Sequence, residues 1–341
     1  MSYTSYPEIL YCIKGFLQRR RVNIITQLSK YLNTTIKKIL QNQSDEILNT
    51  VYEIRLRINC PILLKCSTGD FFISYGKISK SYTDDFYKIN KSDINTTIAA
   101  LTSNSIHAYE KEIEKGFLTI EGGHRVGLSG DCLYEKNEFK GFKSINSLNI
   151  RIARDFVNCS NKVIKYVIKN SKSIYNTLIA GVPLSGKTTC IRDLARNLSD
   201  GYNNPQFNAC DVCVIDERGE IAATYSGVPQ FYLGSRTDVL SYCMKREGFS
   251  ISIRSLAPRI IISDELGSID DFDIIQYALK SGVSIISTAH ASCVEDLFKN
   301  IYLKKILDSG FIERIIVLND RTPVSIKQVY DNIAGRSIYD Y

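Results

Sequence analysis

Apolar positions along this 341-residue chain follow three successive patterns. Up to about residue 48 they recur at helical spacing: Ile9, Ile13, Phe16 and Leu17, then Ile24, Ile25, Leu28 and Leu32. That periodicity predicts a helical N-terminal segment over 1–48. From Tyr52 the period becomes two, with Ile54, Leu56 and Ile58 on one face and Glu53, Arg55 and Arg57 on the other, as in a half-buried strand. A hairpin partner is expected around 71–75, a helix over 84–101 and another over 105–113. Residues 116–130 read as a strand, a tight turn at Gly122-Gly123 and a second strand. Residues 143–154 read as a further strand, with Ile150 and Ile152 inward and Arg151 outward. Residues 49–155 are therefore expected to form a small α+β domain with a mostly antiparallel sheet. Residues 156–172 would be a helix and linker.

From 173 to 341 the third pattern takes over. Near-continuous apolar runs at 176–180, 211–215, 259–263, 283–288 and 314–318 alternate with helix-length segments. Strands that are apolar on both faces and separated by helices predict an α/β domain with a mostly parallel sheet covered on both sides. Ligands of such sheets bind at the carboxyl ends of the strands.

One stretch, Gly181-Val182-Pro183-Leu184-Ser185-Gly186-Lys187-Thr188-Thr189, sits where the first of these strands should turn into a helix. The spacing G-x-x-x-x-G-K-T in that context is a phosphate-binding loop. The two glycines let successive N–H groups curl toward phosphate oxygens, and the helix N-terminus adds its positive end. Lys187 is expected to reach the β- and γ-phosphates of ATP, and the Thr188 hydroxyl to complete an Mg2+ shell. Three later strands end in Asp216-Glu217, in Asp264-Glu265 and, through Ala289, in His290. One acid to support the metal, one to polarise water and a polar residue near the γ-phosphate are the parts of a nucleoside triphosphatase. An arginine to meet transition-state charge has candidates in Arg254 of this domain and in Arg125, Arg151 and Arg154 of the first.

Composition changes this picture little. The chain is 44% apolar and 23% charged, and a length of 341 suits two domains. A net charge of +7 permits contact with nucleic acid or an anionic membrane without requiring it. Arg19-Arg20-Arg21 reads as a solvated turn or face, with a membrane-surface or partner-docking role as the alternative. The ten cysteines have no disulfide framework, and Cys210-Asp211-Val212-Cys213 stands alone with Cys213 inside an apolar strand, so buried thiols are expected. No apolar run approaches the roughly 20 residues of a membrane helix, which leaves only peripheral membrane contact.

The order of these motifs resembles the RecA-like ATPases of type II and type IV secretion and pilus systems. Their P-loop, Asp box, Arg-Ser stretch, Walker B strand and His box correspond to residues 181–189, 214–220, Arg254-Ser255, 260–265 and 287–290. Glu53-Ile54-Arg55-Leu56-Arg57, the Gly122-Gly123-His124-Arg125-Val126-Gly127-Leu128 segment, Ser147-Leu148-Asn149-Ile150-Arg151-Ile152 and Asp216-Glu217-Arg218-Gly219-Glu220 resemble more closely the stage III sporulation protein AA family of spore-forming Firmicutes. The resemblance implies a cytoplasmic, hexameric ATPase. It would lie at the mother-cell face of the membrane, beneath the channel joining mother cell and forespore. It also implies Glu265 as the Walker B acid, Glu217 as an Asp-box acid and His290 as the His-box residue. Two positions depart from the secretion ATPases: Arg259 follows Pro258 where an acid is frequent, and Asp264 precedes Glu265, which leaves Asp264 open as a metal residue. The four-cysteine zinc module of some of these ATPases is absent from the sequence. Two other readings stay open, a nucleotide-dependent nucleic-acid-binding protein and a scaffold that binds ATP without turnover. Against the first, the 21 tyrosines form no stacking platform; against the second stand the strand-end acids.

Overall fold

The computed structural model describes residues 24–320 and 324–340. The helix expected from Ile9, Ile13, Phe16 and Leu17, and the Arg19–21 cluster, lie outside the described residues. The chain divides into two compact units, one ending at Arg154 and one beginning at Asp155.

The first unit is a seven-stranded sheet in the order β4-β3-β2-β1-β7-β6-β5, with every neighbouring pair antiparallel. The strands are β1 (Val51–Arg57), β2 (Ile62–Cys66), β3 (Gly69–Ser74), β4 (Lys77–Ser79), β5 (Phe117–Thr119), β6 (Arg125–Glu135) and β7 (Glu138–Arg151). Short helices at Ile24–Leu28 and Thr34–Gln41 and a longer one at Lys91–Leu101 cover one face. Ile36, Ile39, Leu40, Ile54, Leu56, Leu64 and Ile94 are wholly or almost wholly buried there.

The strand alternation is as expected for Ile54 and Leu56, but Glu53 is buried rather than solvated. β1 lies between β2 and β7, and the Glu53 carboxylate is flanked by Arg55 and, at 3.8 Å, by Arg151. Three boundaries also differ. The helix expected from 84 starts at Lys91, because the Asn90 side chain accepts from the Asp93 N–H and the Asp93 carboxylate from the Asn90 N–H, a reciprocal cap that defines the first turn. Residues 105–113 split into a 3-10 turn, Ile106–Tyr109, and a helix, Glu110–Glu114. β2 occupies 62–66 and so pairs with β1 ahead of the expected 71–75 segment, which is β3.

The second unit holds an eight-stranded sheet in the order β14-β13-β15-β16-β10-β17-β18-β19. Its strands are β10 (Thr177–Ala180), β13 (Val212–Asp216), β14 (Thr237–Ser241), β15 (Ile260–Glu265), β16 (Ser284–Ala289), β17 (Arg314–Leu318), β18 (Ile326–Asp331) and β19 (Arg336–Asp340). The first six in spatial order are parallel; β18 and β19 add antiparallel strands at one edge. Two small hairpins complete it, β8 (Ile168–Asn170) with β9 (Ser173–Ile174) and β11 (Tyr202–Asn203) with β12 (Gln206–Phe207). Neighbouring residues of one strand enter different cores: Val212 and Val214 face one, Cys213 and Ile215 the other. This double burial is why these strands read as continuous apolar runs. Cys210 and Cys213 are buried thiols, and no cluster of three metal-type side chains occurs among the described residues.

Candidate nucleotide site

β10 delivers the chain to the loop, and the helix Lys187–Asp200 carries it away. Between them Leu184 and Gly186 take positive φ, 67° and 92°, which curls the backbone back before the helix begins. Gly181 has no room for a side chain, since a Cβ there would lie 2.3 Å from Ser185 Oγ. The loop is tied to its surroundings by Gly181 N–H to Ala289 O at 3.3 Å and by Val324 N–H to Ser185 O at 2.9 Å. The N–H groups of Lys187, Thr188 and Thr189 open the helix and have no carbonyl within it to bond. Ser185 Oγ is buried without a hydrogen-bond partner, and Thr188 is half-buried at the same mouth. A cradle closed to Cβ atoms, a set of helix-opening N–H groups and an orphaned buried hydroxyl together fit a phosphate chain.

The charged residues converge on that cradle. Lys187 Nζ donates to Gly181 O at 2.7 Å and Val182 O at 3.0 Å and lies 3.3 Å from His290 Nδ1. His290 Nε2 lies 3.3 Å from Glu265 Oε2. The tautomer in which Nδ1 accepts from the ammonium and Nε2–H donates to the carboxylate satisfies both contacts. Burial pushes the Lys187 pKa down, opposed by the Glu265 charge.

Asp264 and Glu265, paired in the sequence, are separated in space because neighbouring residues of a strand point to opposite sides. Glu265 faces Lys187 and His290. Asp264 Oδ2 accepts the Arg218 N–H at 3.1 Å, and burial, with the Asp216 charge behind it, raises its pKa to about 7. Asp216 organises the turn after β13: its carboxylate accepts the N–H groups of Glu220, Ile221 and Ala222 at 2.8, 3.1 and 2.8 Å. Arg192 clamps the same turn from the P-loop helix, donating to Ile221 O at 2.7 Å and Glu220 O at 2.9 Å while stacking on Phe231. Burial lowers the Arg192 pKa to about 10.

Two residues at the site were not singled out from the sequence. Arg218 Nη1 stands 4.0 Å from Glu265 Oε2, in the turn that Asp216 shapes. Lys245 Nζ donates to the Glu265 carbonyl at 2.5 Å and pairs at 2.8 Å with Asp271, whose other oxygen accepts the Gly267 and Ser268 N–H groups at 2.7 Å each. Lys245 and Asp271 thus hold the chain from the Glu265 carbonyl to Ser268, just past the acid. Arg218 was legible as part of Asp216-Glu217-Arg218; Lys245 has no local signature.

The other candidates are placed as follows. Glu217 is half-buried in the turn, and its side chain makes no hydrogen bond or ion pair among the described residues. Arg254 is exposed on a π-helix, Ser252–Leu256, without such a partner among the described residues. Within the first unit, Arg125 stacks on Phe117 at 4.1 Å, and Arg154 donates to Asn49 O and Val51 O at 2.5 and 2.8 Å. His124 is buried there, its Nε2 2.8 Å from Gln27 Oε1 and its Nδ1 accepting the Ala153 N–H at 3.0 Å. That histidine joins the Gly122-Gly123 turn to the end of β7 and to the helix Ile24–Leu28.

The parallel sheet with its loop at the carboxyl end of β10 is the α/β fold of the secretion and pilus ATPases. The solved ATPase DotB of Legionella pneumophila is matched over 93% of this chain and 78% of its own, with a TM-score of 0.50 and 13% identity. The pilus retraction motor PilT, solved with ADP, is matched over 87% and 78%, with a TM-score of 0.54 and 13% identity. Within that class the chain belongs to the family described as sporulation stage III, protein AA, whose family model matches residues 19–337. It is 35% identical over 317 residues to stage III sporulation protein AA of Bacillus subtilis (strain 168), spanning 92% of this chain and 98% of that one. The uncharacterized protein ycf45 of Cyanidium caldarium is 30% identical over 176 residues, 51% of this chain and 49% of that one. No helix among the described residues is long and apolar enough to cross a membrane.

Proposed function

We propose that this chain binds ATP with Mg2+ and hydrolyses it, and that turnover drives assembly of, or transport through, the channel joining mother cell and forespore during sporulation. The observation that carries the reading is the line Lys187–His290–Glu265, which joins the P-loop cation to a strand-end acid through one imidazole. Residues 181–189 cradle the phosphates and Lys187 supplies charge to them. Thr188 is the residue at the loop that would hold Mg2+, which when bound neutralises phosphate charge, whereas Asp264, the second expected metal residue, is turned toward Asp216 and the Arg218 N–H. Glu265 orients and deprotonates the attacking water, and His290 reports the state of the phosphate end to it. Glu217 adds a second acid at the neighbouring strand end. Arg254 or Arg125 completes the site by closure of the chain or from a neighbouring copy, which makes the active form an oligomer, a hexamer by analogy with the secretion ATPases. The protein then works in the mother-cell cytoplasm, peripherally at the membrane, on a membrane channel component and without nucleic acid. A motor of the same fold was solved with ADP, which supports the nucleotide class.

The test is phosphate release by the purified chain as a function of concentration. Lys187→Ala is expected to abolish nucleotide binding, and Glu265→Gln to keep binding while cutting turnover roughly a hundredfold or more, as loss of a positioned acid-base group does. Nucleotide binding without turnover in any assembled form would overturn hydrolysis and leave the scaffold reading. Turnover stimulated by single-stranded DNA in a salt-sensitive way would replace the channel reading with the nucleic-acid one.

A further inference from the structure

The edge of the parallel sheet opposite the P-loop carries a cavity of about 310 Å3 inside the second unit. It opens where β13, β15 and β16 begin, so it shares no residue with the nucleotide site. Its apolar surfaces come from Ile174, Phe207, Ile260 and Val283, all buried. Its polar lining includes Lys172 and Arg259 with Ser281 and Ser284, and no acid. Asp211, the nearest acid in sequence, lies outside the lining and pairs with Arg236 at 3.9 Å. The Arg259 guanidinium donates to Lys172 O at 2.8 Å, which lays the fork across the lining. One wall is strained. The helix Lys245–Ile251 runs into the π-helix Ser252–Leu256, closed by Ala257 N–H to Ser252 O at 2.9 Å, and Ala257 takes φ 47°, a region costly for a residue with a Cβ.

We propose that this cavity is a second ligand site, for a small molecule with one anionic head, carboxylate or phosphate, and a compact apolar body. The size is that of a small ligand pocket, the floor is apolar, and the rim is polar and carries two exposed cations, Lys172 and Arg259, with no acid to pair them there. The strained wall is one end of a continuous helical element whose other end carries Lys245, bonded to the Glu265 carbonyl. Occupancy is therefore expected to change nucleotide turnover, a consequence that rests on the ATPase reading, whereas binding itself does not.

The chain has no tryptophan, so Phe207→Trp places a single reporter in the cavity. Its emission would be titrated with octanoate, octyl phosphate and octanol below their aggregation concentrations, with ADP and Mg2+ in excess throughout. A saturable change with at least one anion is expected, with octanol about tenfold weaker or worse and Arg259→Gln weakening the anion about tenfold. Which head binds better distinguishes the carboxylate source from the phosphate one. Absence of any saturable change, equal binding of octanol, or indifference to Arg259→Gln would overturn the site. If Phe207→Trp does not fold, calorimetry with the same three compounds on the wild-type chain and Arg259→Gln decides the question. Binding with unchanged phosphate release would overturn the link to turnover and leave the site standing; binding in a chain shown to have no turnover would overturn the ATPase reading instead.

Discussion

Lowering the pH is expected to destabilise the first unit through one residue, His124. The ring is 2% exposed, and burial lowers its pKa from 6.5 to about 4. Its partners explain why the neutral form is kept. Nδ1 accepts the Ala153 N–H at 3.0 Å, so a proton there would set a donor against a donor. The folded pKa lies below the unfolded one, so at pH above 6.5 both states are neutral and the residue contributes no pH term. Between 6.5 and 4 the unfolded chain takes up a proton that the folded chain refuses, and stability falls as pH falls. Below 4 the loss levels off. A drop of about 2.5 in pKa at about 1.4 kcal/mol per pH unit comes to about 3.5 kcal/mol. The assay is urea unfolding followed by circular dichroism from pH 7 to 4, with the His124→Asn variant beside the wild type. Asn loses part of the hydrogen bonding and so about 1–3 kcal/mol at pH 7, but it carries no titrating ring. The gap between the two proteins should therefore shrink steadily below pH 6.5. A gap that stays constant to pH 4.5 would refute the reasoning, as would a histidine resonance titration that places His124 near 6.5. With only three histidines in the chain, that resonance is assignable from the variant.

Three further outcomes follow from the second unit. Gly248→Ala places a Cβ 2.7 Å from Ile215 Cγ2 between a helix and β13, and overpacking there is expected to cost about 1–3 kcal/mol in urea unfolding; a neutral result would mean that the helix can lift away freely. Lys245→Met leaves the fully buried Asp271 charge without its ion pair and should cost about 3–5 kcal/mol, with Asp271→Asn added to it recovering part, a non-additivity that a double-mutant cycle reads directly. Asp216→Asn swaps one of two fully engaged carboxylate oxygens for an amide that cannot accept, so hydrogen exchange at the Glu220, Ile221 and Ala222 amides should speed up more than elsewhere in the sheet; unchanged protection would show that the turn does not depend on the carboxylate.

The legible parts of the fold were those with a strong local pattern. β10, β13, β15, β16 and β17 were readable because both of their faces are buried and polar interruptions are few. β14, β18 and β19 were not. They lie toward the sheet's edges, where one face meets solvent, and sequences such as Thr237–Ser241 and Arg336–Asp340 mix polar and apolar residues as loops do. The expected outward face of β1 failed at Glu53 for a different reason. Whether that face is wet depends on β7 and its Arg151, nearly a hundred residues further along the chain.

The site divides along the same line. By itself the sequence determined a strand, a glycine-rich loop of the G-x-x-x-x-G-K-T type at residues 181–189 and a helix after it, because that device is local: two glycines, a lysine and the helix that follows. It also determined that acids and a histidine stand at strand ends, because in a parallel sheet those ends share one edge. Only the tertiary structure decided which acid faces the loop. The register of β15 against β16, with its irregularity between Ile262 and Glu265, turns Glu265 toward His290 and Asp264 toward Asp216. It also brought in Arg218, through a turn held by three backbone bonds to Asp216, and Lys245, from another helix. Side-chain direction in a strand is set by its pairing and long-range ion pairs by chain crossing, and neither leaves a trace in a window of neighbouring residues.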